Sequence, residues 1–82
     1  MFTMDVVKSI ITLLRSVIEL THQSADGVCA AGVVNDIEET GIIPHKTVVR
    51  LLRSLIQITN SGEEARTADF FCNYLDENAE DS

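Results

Sequence analysis

Apolar side chains recur along the first part of the chain with the spacing of an α-helix. Polar residues fill the positions between them. A β-strand would alternate with a period of two, so the 3.6-residue period predicts an amphipathic helix of about four turns. The apolar stripe is wide, which indicates burial on more than one side. Its members are Val6, Val7, Ile10, Ile11, Leu13, Leu14, Val17 and Ile18.

The next segment predicts a second, weaker helix over residues 27–40. Ser24 and Asp26 precede it, and both are candidate N-caps because these residue types commonly cap helix N-termini. Gly27 and Gly32 each lower the helix propensity by up to about 1 kcal/mol relative to alanine. The predicted inner face consists of Ala30, Val33, Val34 and Ile37.

Gly41 and Pro44 mark a boundary between helices. Glycine can end one helix because it adopts a left-handed backbone without steric cost, and proline is favoured in the first turn of the next. A third helix is therefore predicted over residues 44–59. One face carries the apolar side chains of Val48, Leu51, Leu52 and Leu55. Another carries Lys46, Arg50 and Arg53 at spacings of four and three, and we call these three residues the basic stripe.

A fourth helix is predicted over residues 62–75. Ser61 and Glu64 have the spacing of a capping box. Phe70 and Tyr74 lie to one side of an inner face made of Ala65, Ala68, Phe71, Cys72 and Leu75. The sequence thus predicts an all-α fold, a small bundle of four helices with a helix-turn-helix-like central pair. It forms one domain over residues 1–75, and residues 76–82 form an acidic tail that is expected to fray.

Composition agrees with one small globular domain. Of the 82 residues 45% are hydrophobic, which is far too many for a disordered chain. The net charge of −7 is uneven, because residues 1–60 hold five basic and six acidic side chains and residues 61–82 hold one basic and seven acidic. Cys29 and Cys72 are far apart in apolar contexts, so both are expected to be reduced core residues rather than a disulfide or a metal pair.

The sequence offers little for catalysis or membrane insertion. His22 and His45 stand apart from any acid or thiol at a recognisable spacing, and neither a phosphate-binding glycine loop nor a Cys/His ligand set is present. The apolar run over residues 6–20 contains charges and is shorter than the roughly 20 residues of a membrane span. No signal peptide is recognised. We therefore expect a cytoplasmic protein that is not an enzyme and uses no cofactor or metal.

Residues 40–55 resemble the helix-turn-helix of IclR-type winged-helix regulators. The match consists of Thr47, Val48, Arg50, Leu51, Leu52 and Leu55, after a Thr-Gly pair and a proline. The resemblance covers about a fifth of the chain, and no wing hairpin follows it. It implies that the third helix enters the major groove of DNA, with His45, Lys46, Thr47 and Arg50 facing the duplex.

Charge favours a protein partner over DNA. A DNA-binding protein depends on neutralising phosphates, and this chain has six basic residues and an acidic C-terminal quarter. We therefore predict a small regulator of bacterial or phage type that binds a protein, for example as an inhibitor; the alternative is a DNA-binding transcriptional regulator. The excess of apolar side chains also predicts a homodimer. The predicted partner-binding residues are His45, Lys46, Val49, Arg50, Arg53 and Ile56.

Overall fold

Four α-helices make up the fold. The computed structural model describes residues 4–21, 24–60 and 62–78 of the chain. The helices are α1 (Met4–Thr21), α2 (Ala25–Thr40), α3 (His45–Thr59) and α4 (Glu63–Asn78). The described residues contain no strand, so the predicted all-α fold of four helices is confirmed. None of the four described helices is long and apolar enough to cross a membrane.

The helices associate as two pairs. α1 packs most extensively against α2, and α3 packs most extensively against α4. Contacts of α1 with α3 join the two pairs, while α1 also touches α4 and α3 also touches α2. The helices α1 and α3 therefore lie at the centre, with α2 and α4 on their flanks. Such an arrangement lets neighbouring helices bury their apolar stripes against one another.

The core between the helices is apolar throughout the described residues. The four residues predicted for the inner face of α3 are all buried, as are those predicted for α2 and α4. Removal of large aliphatic side chains from water is the main favourable term in folding, at about 25 cal/mol for each Å² of apolar surface. The largest fully buried side chains are those of Ile10, Leu14, Val17, Ile37, Val48, Leu51, Leu52, Leu55 and Leu75.

The ends of α2 are fixed as its sequence predicts. Ser24 is the N-cap, and its hydroxyl oxygen accepts a hydrogen bond from the Gly27 amide at 3.3 Å. Gly41 ends the helix with φ +73°, and its amide donates to the Ile37 carbonyl at 2.8 Å. This left-handed backbone turns the chain toward α3. Pro44 then serves as the N-cap of α3, one position outside the helix that it was predicted to begin.

The connection from α3 to α4 uses a second left-handed residue. Asn60 has φ +59°, and its amide donates to the Ile56 carbonyl at 2.7 Å. The predicted capping box depends on Ser61, which lies outside the described residues. Helix α4 continues to Asn78, so the first three positions of the predicted acidic tail are helical. Residues 79–82 lie outside the described residues.

Two glycines provide a stability test with opposite signs. Gly32 lies in the middle of α2 and is exposed to solvent, and an added Cβ there would meet no heavy atom within 4 Å. We expect Gly32→Ala to raise the free energy of unfolding by about 0.5–1 kcal/mol through helix propensity and a less flexible unfolded chain. Gly41→Ala should lower it by about 1 kcal/mol because φ is positive there. Denaturant unfolding measures both values, and a change of the same sign in the free energy of unfolding of the two variants would contradict this account.

Candidate functional site

The basic stripe lies on the outer surface of α3. Lys46, Arg50 and Arg53 are all exposed, and the side chains of Arg50 and Arg53 are 57% and 67% accessible. Gln57 continues the row one turn later and is also exposed. Spacings of three and four residues return to the same side of a helix, so the row runs for about three turns. The cationic surface that was predicted for α3 is therefore open to solvent.

Arg50 is held by residues of α2. Its Nη1 donates to Asp26 Oδ1 at 3.2 Å, and its Nη2 donates to Cys29 Sγ at 3.4 Å. The other carboxylate oxygen, Asp26 Oδ2, accepts a hydrogen bond from the Ser54 hydroxyl at 2.9 Å. Asp26 thus joins the first turn of α2 to two positions of α3. The planar guanidinium suits this arrangement because it presents several donors in a fixed geometry.

Arg53 faces the opposite flank of α3. Its Nη2 lies 3.8 Å from Asp76 Oδ2, in the last turns of α4. Both side chains of this ion pair are more than half exposed. Exposed ion pairs of this kind contribute about 0–1 kcal/mol, since water and salt screen them. Asp76 therefore holds Arg53 only loosely.

Val49 and Ile56, the two apolar residues predicted to contact a partner, are buried and half-buried in the fold. Val49 is only 6% exposed and belongs to the core, and the Cys72 thiol donates to its carbonyl with a sulfur–oxygen distance of 3.8 Å. Ile56 is half-buried and packs against the same core. The prediction of an outward contact by Val49 is corrected, because α4 packs along this side of α3 and covers it. What α3 offers to solvent is mainly polar.

His45 is the first residue of α3 and directly follows the N-cap Pro44; its side chain is half-buried. His22 lies outside the described residues. Within residues 4–21, 24–60 and 62–78, no three His, Cys, Asp or Glu side chains lie close enough together to hold a metal ion. His45 is therefore placed beside the basic stripe, directly before Lys46, without being part of a ligand cluster.

Exposed apolar side chains are distributed over the surface. Of the large exposed apolar residues in the described part of the chain, only Ile58 belongs to α3. Periodicity placed Phe70 outside the inner face of α4, but it gave no signal for Ile42, which directly precedes the buried Ile43. The full set is Met4, Leu20, Val28, Ile42, Ile58 and Phe70.

The two thiols stand in different surroundings. Burial raises the pKa of the Cys72 thiol, and the nearby Arg53 guanidinium partly offsets this, while the carboxylates of Asp69 and Asp76 raise the pKa further. Cys29 is half-buried, with its sulfur beside the Arg50 guanidinium. Because the thiolate is the nucleophile and needs access to the reagent, the native protein should show one reactive thiol.

We expect a thiol reagent such as an aromatic disulfide to modify Cys29 in the folded protein and Cys72 only on unfolding. The absorbance of the released aromatic thiol measures this, as a fast phase of one equivalent and a second equivalent in denaturant. Cys29→Ser should remove the fast phase, and Cys72→Ala, as the matched control, should keep it. A fast phase that persists in Cys29→Ser would contradict the assignment.

Two arginines of the basic stripe thus each pair with a carboxylate from a different neighbouring helix. The similarity of residues 40–55 to IclR-type regulators concerns a single segment of α2, the turn and α3. No model of a known protein family matches the chain, and no curated protein or solved structure shows significant similarity to it.

Proposed function

We propose that this chain is a small, non-enzymatic regulatory protein that binds a protein partner through the basic stripe of α3, for example as an inhibitor. The observation that carries the proposal is the pairing of two exposed arginines of α3 with carboxylates of α2 and α4 at 3.2 and 3.8 Å. The stripe already contacts the chemical group that it would recognise in a partner. The partner would present Asp or Glu side chains along one edge.

Exchange of carboxylates makes this recognition feasible. The exposed Arg53–Asp76 pair is worth about 0–1 kcal/mol, so a partner's carboxylate can replace Asp76 at little cost. The Arg50 side chain stays 57% accessible beside Asp26, which leaves room for a second carboxylate of the partner. Arg50 and Arg53 can then form charge-assisted bonds that strengthen as the interface excludes water. Lys46 extends the cationic row toward the start of α3. Such complementarity gives specificity and a fast association rate more than raw affinity.

Electrostatics ranks a protein partner above DNA. Asp26 and Asp76 lie against the stripe, and phosphates approaching it would meet these carboxylates. The whole chain carries a net charge of −7, which repels a duplex at long range. A DNA-binding regulator would need a cationic surface large enough to overcome both effects, because phosphate neutralisation supplies most of non-specific affinity.

A pair of charge-matched variants tests the stripe. Lys46→Gln combined with Arg53→Gln removes two cations from α3. Lys8→Gln combined with Arg15→Gln removes two from α1, where Arg15 pairs with Glu38 much as Arg53 pairs with Asp76. In affinity capture from lysate of the source cells, we expect the stripe variant to lose a protein that wild type and the α1 variant both retain. Equal retention by both variants would refute the proposal.

The DNA alternative has its own measurement. Fluorescence anisotropy of a labelled generic duplex, titrated with the protein at low salt, should show no binding. Binding that weakens steeply as salt rises, and that the stripe variant loses, would replace the protein-binding proposal with the DNA-binding one.

A further inference from the structure

The outer face of α4 carries an aromatic side chain that the fold itself does not bury. Phe70 is 61% exposed, although its ring is well supported. Its centroid lies 5.1 Å from that of the buried Phe71 in an edge-on arrangement and 6.3 Å from that of Tyr74 in a stacked one. A large ring that is ordered before binding loses little conformational entropy on contact. Such aromatic anchors dominate the energy of many interfaces.

Charged residues of opposite sign stand at the two ends of this ring cluster. Arg66 is one turn before Phe70, and Glu77 is about two turns after it; both are exposed. The spacings of four, four and three residues from Arg66 through Phe70 and Tyr74 to Glu77 keep all four on one side of the helix. We call these four residues the aromatic face. Its sequence of cation, two aromatic rings and anion has a direction along the helix.

The order of these charges is self-complementary under a two-fold rotation. If two α4 helices lie antiparallel with the axis midway between Arg66 and Glu77, each Arg66 is opposite Glu77 of the partner subunit. The two Phe70 side chains then lie about 4.5 Å apart along the helix direction, near the axis. A parallel pairing would instead bring like charges together. An isologous contact requires this kind of self-complementarity.

We propose that the aromatic face of α4 is a homodimer interface, in which a second copy of this chain binds antiparallel with paired Arg66 and Glu77 side chains around a Phe70 centre. The inference goes beyond the partner-binding role of α3, and the two surfaces share no residue. A homodimer would present two basic stripes in one particle.

The dimer is expected to be weak and to depend on concentration. One helix face is smaller than the roughly 800 Å² that each subunit contributes to a standard stable interface. The net charge of −7 on each copy also opposes association at low salt. Experiments therefore belong at about 0.15 M salt, where the Debye length is about 8 Å and long-range repulsion is screened.

Sedimentation equilibrium over a wide concentration range measures the dimer directly. We expect wild type to populate monomer and dimer, and Phe70→Ser to raise the dimer dissociation constant by about tenfold or more. Ile42→Ser is the matched control, because Ile42 is 71% exposed and lies in the turn between α2 and α3, outside the aromatic face. Its dissociation constant should equal that of wild type. Far-UV circular dichroism would confirm that each variant folds.

Exchange of the charges tests the antiparallel geometry independently of the phenylalanine. Arg66→Glu should weaken the dimer because two carboxylates would then face each other. The double variant Arg66→Glu with Glu77→Arg should restore it, since the opposite charges again meet across the axis. A wild type that stays monomeric up to about millimolar concentration would overturn the proposal. Equal effects of Phe70→Ser and Ile42→Ser, or no recovery in the double variant, would also overturn it.

Discussion

Replacement of Leu52 by alanine is expected to lower the free energy of unfolding by about 2–5 kcal/mol. Leu52 is fully buried in α3, the helix that packs on α4 and also touches α1 and α2. Truncation loses the transfer free energy of the removed atoms and leaves a cavity that the neighbouring helices fill only in part. A domain of this size has about 5–15 kcal/mol of stability in all. We therefore expect the melting temperature to fall by about 10 °C or more.

Gln57→Ala is the control for this substitution. Gln57 is an exposed position on the same helix, and alanine is a good helix former there, so the free energy of unfolding should change by about 0.5 kcal/mol or less. Urea unfolding followed by circular dichroism at 222 nm gives both values. A loss below about 1 kcal/mol for Leu52→Ala would mean that α3 is not the centre of the core.

Local signals in the sequence account for most of the fold. The inner face of α3 was predicted from four apolar residues on one side of a helix, and all four are buried. Ser24 and Gly41 were predicted at the ends of α2, and each makes the expected hydrogen bond within a few residues. These features depend on helical period and on backbone preference, which neighbouring residues determine. They can therefore be predicted from the sequence without knowledge of how the helices pack.

Packing between helices determines whether positions at the edge of an apolar stripe are buried, which the helical period leaves open. Val49 lies on the edge of the apolar stripe of α3, where period alone allows it to face either solvent or core. Docking of α4 along that edge buries it. The same contact leaves Phe70 on the outside, because Ala68, Cys72 and the other inward residues of α4 direct its opposite side toward α3. A helical wheel gives the angle of a residue but not which of its neighbours will cover it.

The ion pairs of the basic stripe could not be predicted from local sequence patterns, because they also depend on how the helices pack. Arg50 and Asp26 are 24 positions apart, and Arg53 and Asp76 belong to different helices. Their approach depends on the relative rotation and offset of whole helices, which no spacing along the chain reports. The sequence could predict a cationic row on α3, but not that α2 and α4 would each supply a carboxylate to it.

A carboxylate at position 68 should destabilise the fold as strongly as a cavity in α3. Ala68 is fully buried on the inner face of α4, in the helix pair with the most extensive contact. We expect Ala68→Asp to lower the free energy of unfolding at neutral pH by about 3 kcal/mol or more, because an unpaired charge loses its hydration there. Ala68→Asn, which is close in size and cannot ionise, should cost less.

The difference between these two variants should depend on pH in a definite direction. Burial raises the pKa of a carboxyl group above its unfolded value of about 3.9, since it disfavours the charged form. Below the unfolded value the carboxyl is neutral in both states, and Ala68→Asp should nearly equal Ala68→Asn. As pH rises through the folded pKa the charged form must be buried, so the Asp variant loses stability relative to the Asn variant. Urea unfolding of both variants between about pH 3 and pH 8 measures this, and other carboxylates cancel in the comparison. A constant difference across that range would show that the carboxylate reaches water, which would place Ala68 at the surface rather than between α3 and α4.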